Sequence, residues 1–164
     1  MHEWAAQDES ATGASELREL SEAESLTLLG RVSFGRVVFS RDALPAIRPV
    51  NHVVDDGAVI IRTHLGAALL SAVGMVVAYE ADSIDPVSRT GWTVILVGIA
   101  RQVVDMDDLA RYERMLRPWI RGSMDHVIRI VPETVTGVEL LCDPDVVESA
   151  GNGGGGGFRA VDSF

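Results

Sequence analysis

An Asp-Asp-Gly turn set between two runs of β-forming residues constrains this chain more than any other stretch. Residues Leu44 to Gly66, LPAIRPVNHVVDDGAVIIRTHLG, read as two strands joined at Asp55-Asp56-Gly57 and ending at the mouth of a short helix. An Asp-Gly pair accepts the positive φ angles that a two-residue hairpin demands, so the two strands pair antiparallel in a set register. Arg48-Pro49-Val50-Asn51 lies in the first strand, and Arg62-Thr63 closes the second. Gly66 then opens the helical run Ala67-Ala68-Leu69-Leu70. A cation and a hydroxyl at a strand end, followed by a glycine and a helix N-terminus, suit a phosphate. Free N–H groups and the positive end of the helix dipole face an arriving anion there. An ordinary hairpin feeding a helix has the same pattern.

The flanking segments supply the other elements. Residues 1–14 are small and polar without periodicity, as a disordered N-terminus is. Ser21 and Glu24 have the spacing of a capping box, and Ala23, Leu26 and Leu29 share one face of a helix over 21–29 that Gly30 stops. RVSFGRVVFS (31–40) and GMVVAYEAD (74–82) read as strands, with a short helix at about 66–72 between the hairpin and the second of them. Ser83 to Arg89, which contains Asp85-Pro86, is a polar loop. Gly91 to Val104, GWTVILVGIARQVV, is the longest strand candidate, with Gly98 as a bulge or bend. Trp92, Val94 and Leu96 fall on one of its faces, Ile95 and Val97 on the other. A strand apolar on both faces is covered on both, so one face fills a core while the other meets a helix or a second subunit.

An amphipathic helix follows over 105–117, with Asp107 and Asp108 in its first turn and Pro118 at its end. HVIRIV and TVTGVELL then form the last one or two strands, divided around Pro132, and residues 143–164 form a glycine-rich flexible tail. About six strands and three helices with hairpin-like spacing favour a mainly β fold: a small antiparallel barrel, with peripheral helices, formed by residues 15–142.

Charge and cysteine content exclude several functions. All 14 basic residues are arginine, so any phosphate or carboxylate must be met by arginine, backbone N–H or hydroxyl groups. A net charge of −10 disfavours nucleic acid and anionic membrane surfaces as partners. Cys142 is the only cysteine, which leaves no intrachain disulfide and no cysteine-based zinc site. The acidic, polar N-terminus lacks the pattern of a signal peptide, and the longest nearly apolar run, 67–79, is too short to span a bilayer. A cytoplasmic protein is expected.

The four histidines are scattered in sequence, so no metal site is expected, and His52 in its strand suits a structural role. His64 adjoins the proposed anion seat. Arg48, Asn51, Arg62 and Thr63 come from adjacent strands and are able to converge on one barrel end, and Trp92 offers a flat surface for an aromatic ring. No side chain stands out as a general acid or base, and the catalytic residues stay unassigned.

The succession GRVVFS, PAIRPVNHVVDDGAVIIRTHLG, VVAYEAD and GWTVILVGIARQV resembles the pyridoxamine 5′-phosphate oxidase-like family of FMN-binding split barrels. It is most similar to small actinobacterial members grouped with nitroimidazole-resistance-type proteins, over roughly residues 20–140. The resemblance implies a six-stranded split barrel forming a homodimer, with FMN at two sites along the interface and a small-molecule substrate. It implies flavin contacts from Arg48, Pro49, Val50 and Asn51, and phosphate contacts from Arg62 and Thr63. The glycine loop and helix start fall on Gly66, Ala67 and Ala68, and the polar position of the long strand falls on Trp92-Thr93. Many members carry a lysine or arginine just after that glycine, where this chain has Ala67, Ala68 and Leu69. A charge-assisted bond worth on the order of 1.5–3 kcal/mol is thereby missing, and Arg62 is left to supply it. Flavin oxidoreductase chemistry follows from the resemblance. The alternatives are a deazaflavin-coenzyme-dependent reductase, and a non-catalytic ligand-binding or sensor dimer with a degenerate flavin site, which the missing cation after Gly66 favours.

Overall fold

The computed structural model describes residues 16–63, 69–116 and 126–142. Its elements in chain order are β1 (Glu16–Leu20), α1 (Glu22–Leu29), β2 (Phe34–Arg41), β3 (Leu44–Asp55) and β4 (Ala58–Thr63). After these come β5 (Val76–Asp85), β6 (Thr90–Gln102), a helix here labelled α2 (Met106–Met115), and β7 (His126–Leu141). The strands lie in the order β1-β7-β4-β3-β2-β5-β6, and β6 returns to pair with β7. Six antiparallel strands, β2 to β7, therefore close into a ring, and β1 is appended to the outer part of β7. This is the expected split barrel.

The hairpin turn falls where the Asp-Gly pair put it. Asp56 and Gly57 take φ angles of 48° and 68°, and Asp55 pairs with Ala58 across the two-residue turn. Both halves of the capping box on α1 are formed: Glu24 N–H donates to Ser21 Oγ, and Ser21 N–H donates to Glu24 Oε2 at 2.9 Å. Asp105 caps α2 by accepting from the amides of Asp107 and Asp108, both at 3.0 Å.

Several boundaries differ from the sequence reading. β2 starts at Phe34 rather than Arg31, and β5 continues to Asp85, into the first three residues of the expected loop, before the turn at 86–89. β1, which no periodicity announces over five residues, forms because Glu16–Leu20 finds the free edge of β7 at Gly137–Leu141. The last region is a single strand of 16 residues, although Pro132 lies within it. The register of β6 and β7 shifts between Val97 and Gly98, opposite Pro132, and this bulge absorbs the missing N–H. Gly98 is required there, since a Cβ would collide with the carbonyl of Val131. In the segment expected to form a short helix at 66–72, residues 69 and 70 are helical and a turn follows. The expectations for residues 1–14 and 143–164 lie outside the described residues.

Alternating residues fill the barrel: Val37, Val50, Val59, Ile61, Tyr79, Trp92, Val94, Leu96, Ile128 and Ile130 are all buried. Leu29 of α1 belongs to the same core. A second, smaller cluster lies outside the wall, where Tyr112 and Leu116 cover Ala58, Ile60 and Val127. α2 is thus packed on the outer face of the hairpin.

Candidate functional site

The feature that positions the site is the division of β3 into two halves. From Leu44 to Asn51 it pairs with β2, while its pairing with β4 covers only His52 to Asp55. Among the described residues, the second edge of β3 is therefore unpaired from Leu44 to Asn51. Pro45 and Pro49 lie in that half, and a residue without an N–H is tolerated where a strand edge is free. Those two prolines were the sequence signal of the split, and periodicity alone does not read them.

Arg48, Pro49, Val50 and Asn51 lie along this open edge, and Arg62 and Thr63 end the neighbouring β4. The expected convergence is divided between two faces. Val50 and His52 are buried in the core, so Arg48 shares the interior-facing side, whereas Asn51 and Pro49 take the outer side. Arg48 pairs in register with Val37, which in turn pairs with Tyr79. It is half-buried, its Nη1 donates to the Ile47 carbonyl at 2.7 Å, and among the described residues it forms no ion pair with a carboxylate. Asn51 Nδ2 donates to the carbonyl of Ser33 at 3.3 Å. Arg62 continues the outward series of Ala58 and Ile60, and its Nη2 donates to Glu113 Oε1 of α2 at 2.5 Å. Thr63 is opposite His126 in the ladder. Gly66, Ala67, Ala68 and His64 lie outside the described residues.

Trp92 and Thr93 do not join this group within one chain. Trp92 is 9% exposed and packed in the barrel core. Thr93 takes the outer side of β6, between Asp82 and Val138. In the closed ring, β6 is three strands from β3 in either direction, so the two strands form opposite walls. An outward residue on β6 points away from the open edge of β3.

Electrostatics around the hairpin are dominated by paired charges. Arg111 and Tyr112 Oη both bond Asp55, the latter at 2.8 Å, and burial with the neighbouring carboxylate pushes the Tyr112 phenol upward. Arg129 reaches Asp56 at 3.4 Å. Inside the barrel, His52 is 1% exposed and held by Tyr79 and Leu29, a constellation that serves the core. Cys142 is exposed. No cluster of three or more potential metal ligands occurs among the described residues, and no described helix is long and apolar enough to cross a membrane.

Comparison with known proteins fits this geometry. The uncharacterized protein Rv0080 of Mycobacterium tuberculosis is 51% identical over 140 residues, covering 82% of this chain and 92% of its own. The FAD binding protein from Mycobacterium smegmatis superposes with a TM-score of 0.63 at 38% identity, covering 76% of this chain and 99% of its own. A FAD-binding protein from Mesorhizobium loti shares the fold, with a TM-score of 0.59 at 20% identity over 75% of this chain and 97% of its own. The family model described as pyridoxamine 5′-phosphate oxidase matches residues 21–139, from the cap of α1 to two residues before the end of β7. A six-stranded ring split along β3, and a family match that spans it, mean that this chain belongs to the pyridoxamine 5′-phosphate oxidase family.

Proposed function

We propose that this protein is a flavin-dependent oxidoreductase acting on a small molecule, with FMN seated against the open edge of β3. The observation that carries the reading is the unpaired edge from Leu44 to Asn51, beside the end of β4. Free backbone N–H and C=O groups on that edge match the polar rim of an isoalloxazine, which is planar and carries both donors and acceptors. Arg48 is half-buried without a carboxylate partner among the described residues, and Arg62 and Thr63 stand at the adjoining strand end. From the two faces of that wall, Arg48 and Arg62 offer an anionic flavin lying along the edge a cation on either side. When bound, the flavin supplies the electron transfer, and the chain supplies orientation and charge.

The site is completed by a second copy of the chain in this reading. Thr93 is on the wall opposite β3, so its contribution reaches a flavin only from a partner protomer. The outer face of β5, β6 and β7 suits such a partner: Val76 is 59% exposed, Ile95 43% and Val131 40%. A cytoplasmic setting belongs to the same reading, with Cys142 as the only thiol.

FAD is the second reading. It is favoured by the name of the M. smegmatis protein and by the lack of a cation at Ala67, Ala68 and Leu69, which suits a phosphate monoester poorly. The test is the visible spectrum of freshly purified protein, followed by release and chromatography of the chromophore and titration of the apoprotein with FMN, FAD and riboflavin. A yellow protein releasing FMN is expected. Release of FAD selects the second reading, and a colourless protein that binds no flavin overturns both.

A further inference from the structure

Arg62 is the described cation at the phosphate end of the proposed site, and it already holds a carboxylate. The Arg62 guanidinium is 2.5 Å from Glu113 Oε1, with 15% of the Arg62 side chain exposed against 64% for Glu113. The carboxylate is brought there by α2. Tyr112, the preceding residue, is buried against Ala58 and Ile60 and bonded to Asp55, and Arg111 bonds Asp55 as well. Glu113 is therefore presented at the margin of a helix face whose backbone is anchored on both the hairpin turn and the wall. The two partners differ in freedom. Arg62 is shielded between strand and helix, whereas the carboxylate is on a solvent-facing side chain with several rotatable bonds.

We infer that Glu113 is an internal competitor for the flavin phosphate, gating Arg62 and setting the protein's preference among phosphorylated flavins. The inference rests on the flavin reading above. While the pair is closed, its net charge is zero, and an arriving phosphate meets a neutral seat with a like charge beside it. When Glu113 rotates into solvent, Arg62 Nη2, the nitrogen that holds Glu113, is released to meet the phosphate. Because Glu113 is mostly exposed, opening costs little, and the gate tunes affinity rather than abolishing it. The FMN monoester, close to a dianion at neutral pH, is the most sensitive ligand. The singly charged diester phosphates of FAD respond less, and riboflavin, which has no phosphate, does not respond.

The experiment is titration of the full-length apoprotein by flavin fluorescence quenching, comparing wild type with Glu113→Gln, which keeps shape and removes charge. The FMN dissociation constant is expected to fall about three- to ten-fold, with riboflavin unchanged. Glu113→Asp, which restores the charge, should return FMN affinity towards wild type, and in an Arg62→Gln background the Glu113→Gln gain should vanish. Equal FMN affinities for wild type and Glu113→Gln overturn the gate and leave the flavin reading standing. A gain shared by riboflavin, or one that persists without Arg62, overturns it too. Absence of flavin binding by every form overturns the flavin reading and the gate with it.

Discussion

The Tyr79 hydroxyl lies 2.7 Å from His52 Nδ1, in a barrel core that also holds the carbonyl of Leu29 at 2.9 Å from His52 Nε2. A carbonyl only accepts, so Nε2 carries the proton and Nδ1 accepts from the Tyr79 hydroxyl. One neutral imidazole thereby joins β3, β5 and the end of α1, and the protein's stability should report on it.

Burial lowers the His52 pKa, and the Leu29 carbonyl only partly opposes this. The folded-state value lies below the unfolded-state value of about 6.5, so the unfolded chain takes up the proton first as pH falls. Stability is therefore full above that value and declines as pH falls through it towards the folded pKa. Urea denaturation between about pH 8 and pH 5 should show a falling midpoint across this window. Glu24 acts lower, since Arg18 and Ser21 hold its carboxyl at about 2 and its contribution is lost only in acid. A midpoint independent of pH down to about 5.5 would contradict the buried neutral assignment.

Gly35 leaves the room that the Tyr79 hydroxyl occupies, since a Cβ there would collide with Tyr79 Oη. Gly35→Ala should destabilise the protein by about 1–3 kcal/mol through overpacking. Tyr79→Phe should cost about 1–3 kcal/mol, because His52 Nδ1 is left without a donor. The double variant should cost less than the sum, as removal of the hydroxyl relieves part of the clash. Thermal or urea unfolding of the three variants measures the coupling, and strict additivity would count against a shared space.

Arg62→Ala should weaken FMN binding by at most roughly 1.5–3 kcal/mol, the range for a hydrogen bond to a charged group, without unfolding the protein. The lower end is expected, because Arg62 first releases Glu113. Riboflavin affinity should stay unchanged, and fluorescence titration of both ligands decides whether Arg62 meets the phosphate.

Val97 is on the outer side of β6, paired with Ala78 of β5. Val97→Asp places a charge in the proposed subunit interface, and light scattering at micromolar concentration should show the wild-type dimer replaced by monomer. A wild type that is itself a stable monomer would remove the basis for a shared flavin site.

The Ser21–Glu24 box and the Asp56-Gly57 turn were legible because each depends on residues close in sequence, and Gly98 was legible as a bulge because a lone glycine interrupts the strand pattern. β1 was not, since five residues paired with a strand more than a hundred positions away carry no local signal. The single course of β7 was also hidden, because only the partner at Gly98 shows how Pro132 is accommodated. Arg48 and Asn51 are three apart in a strand, and the period of two already puts them on opposite faces. That separation was available from the sequence and is the reason the candidate residues do not form one cluster.

By itself, the sequence determined the local chemistry: where chains turn, which helices are capped, which strand is apolar on both sides, and which family the order of motifs resembles. These depend on φ preferences, short-range hydrogen bonds and side-chain periodicity. Only the tertiary structure decided that β6 closes on β7, that half of β3 keeps a free edge, and that Arg62 is paired with Glu113 from a helix 51 residues further along. The closure and the ion pair are contacts between distant segments, set by which apolar faces are buried together, and no local preference encodes them; Pro45 and Pro49 permit a free edge, but only the short β3–β4 pairing leaves it open.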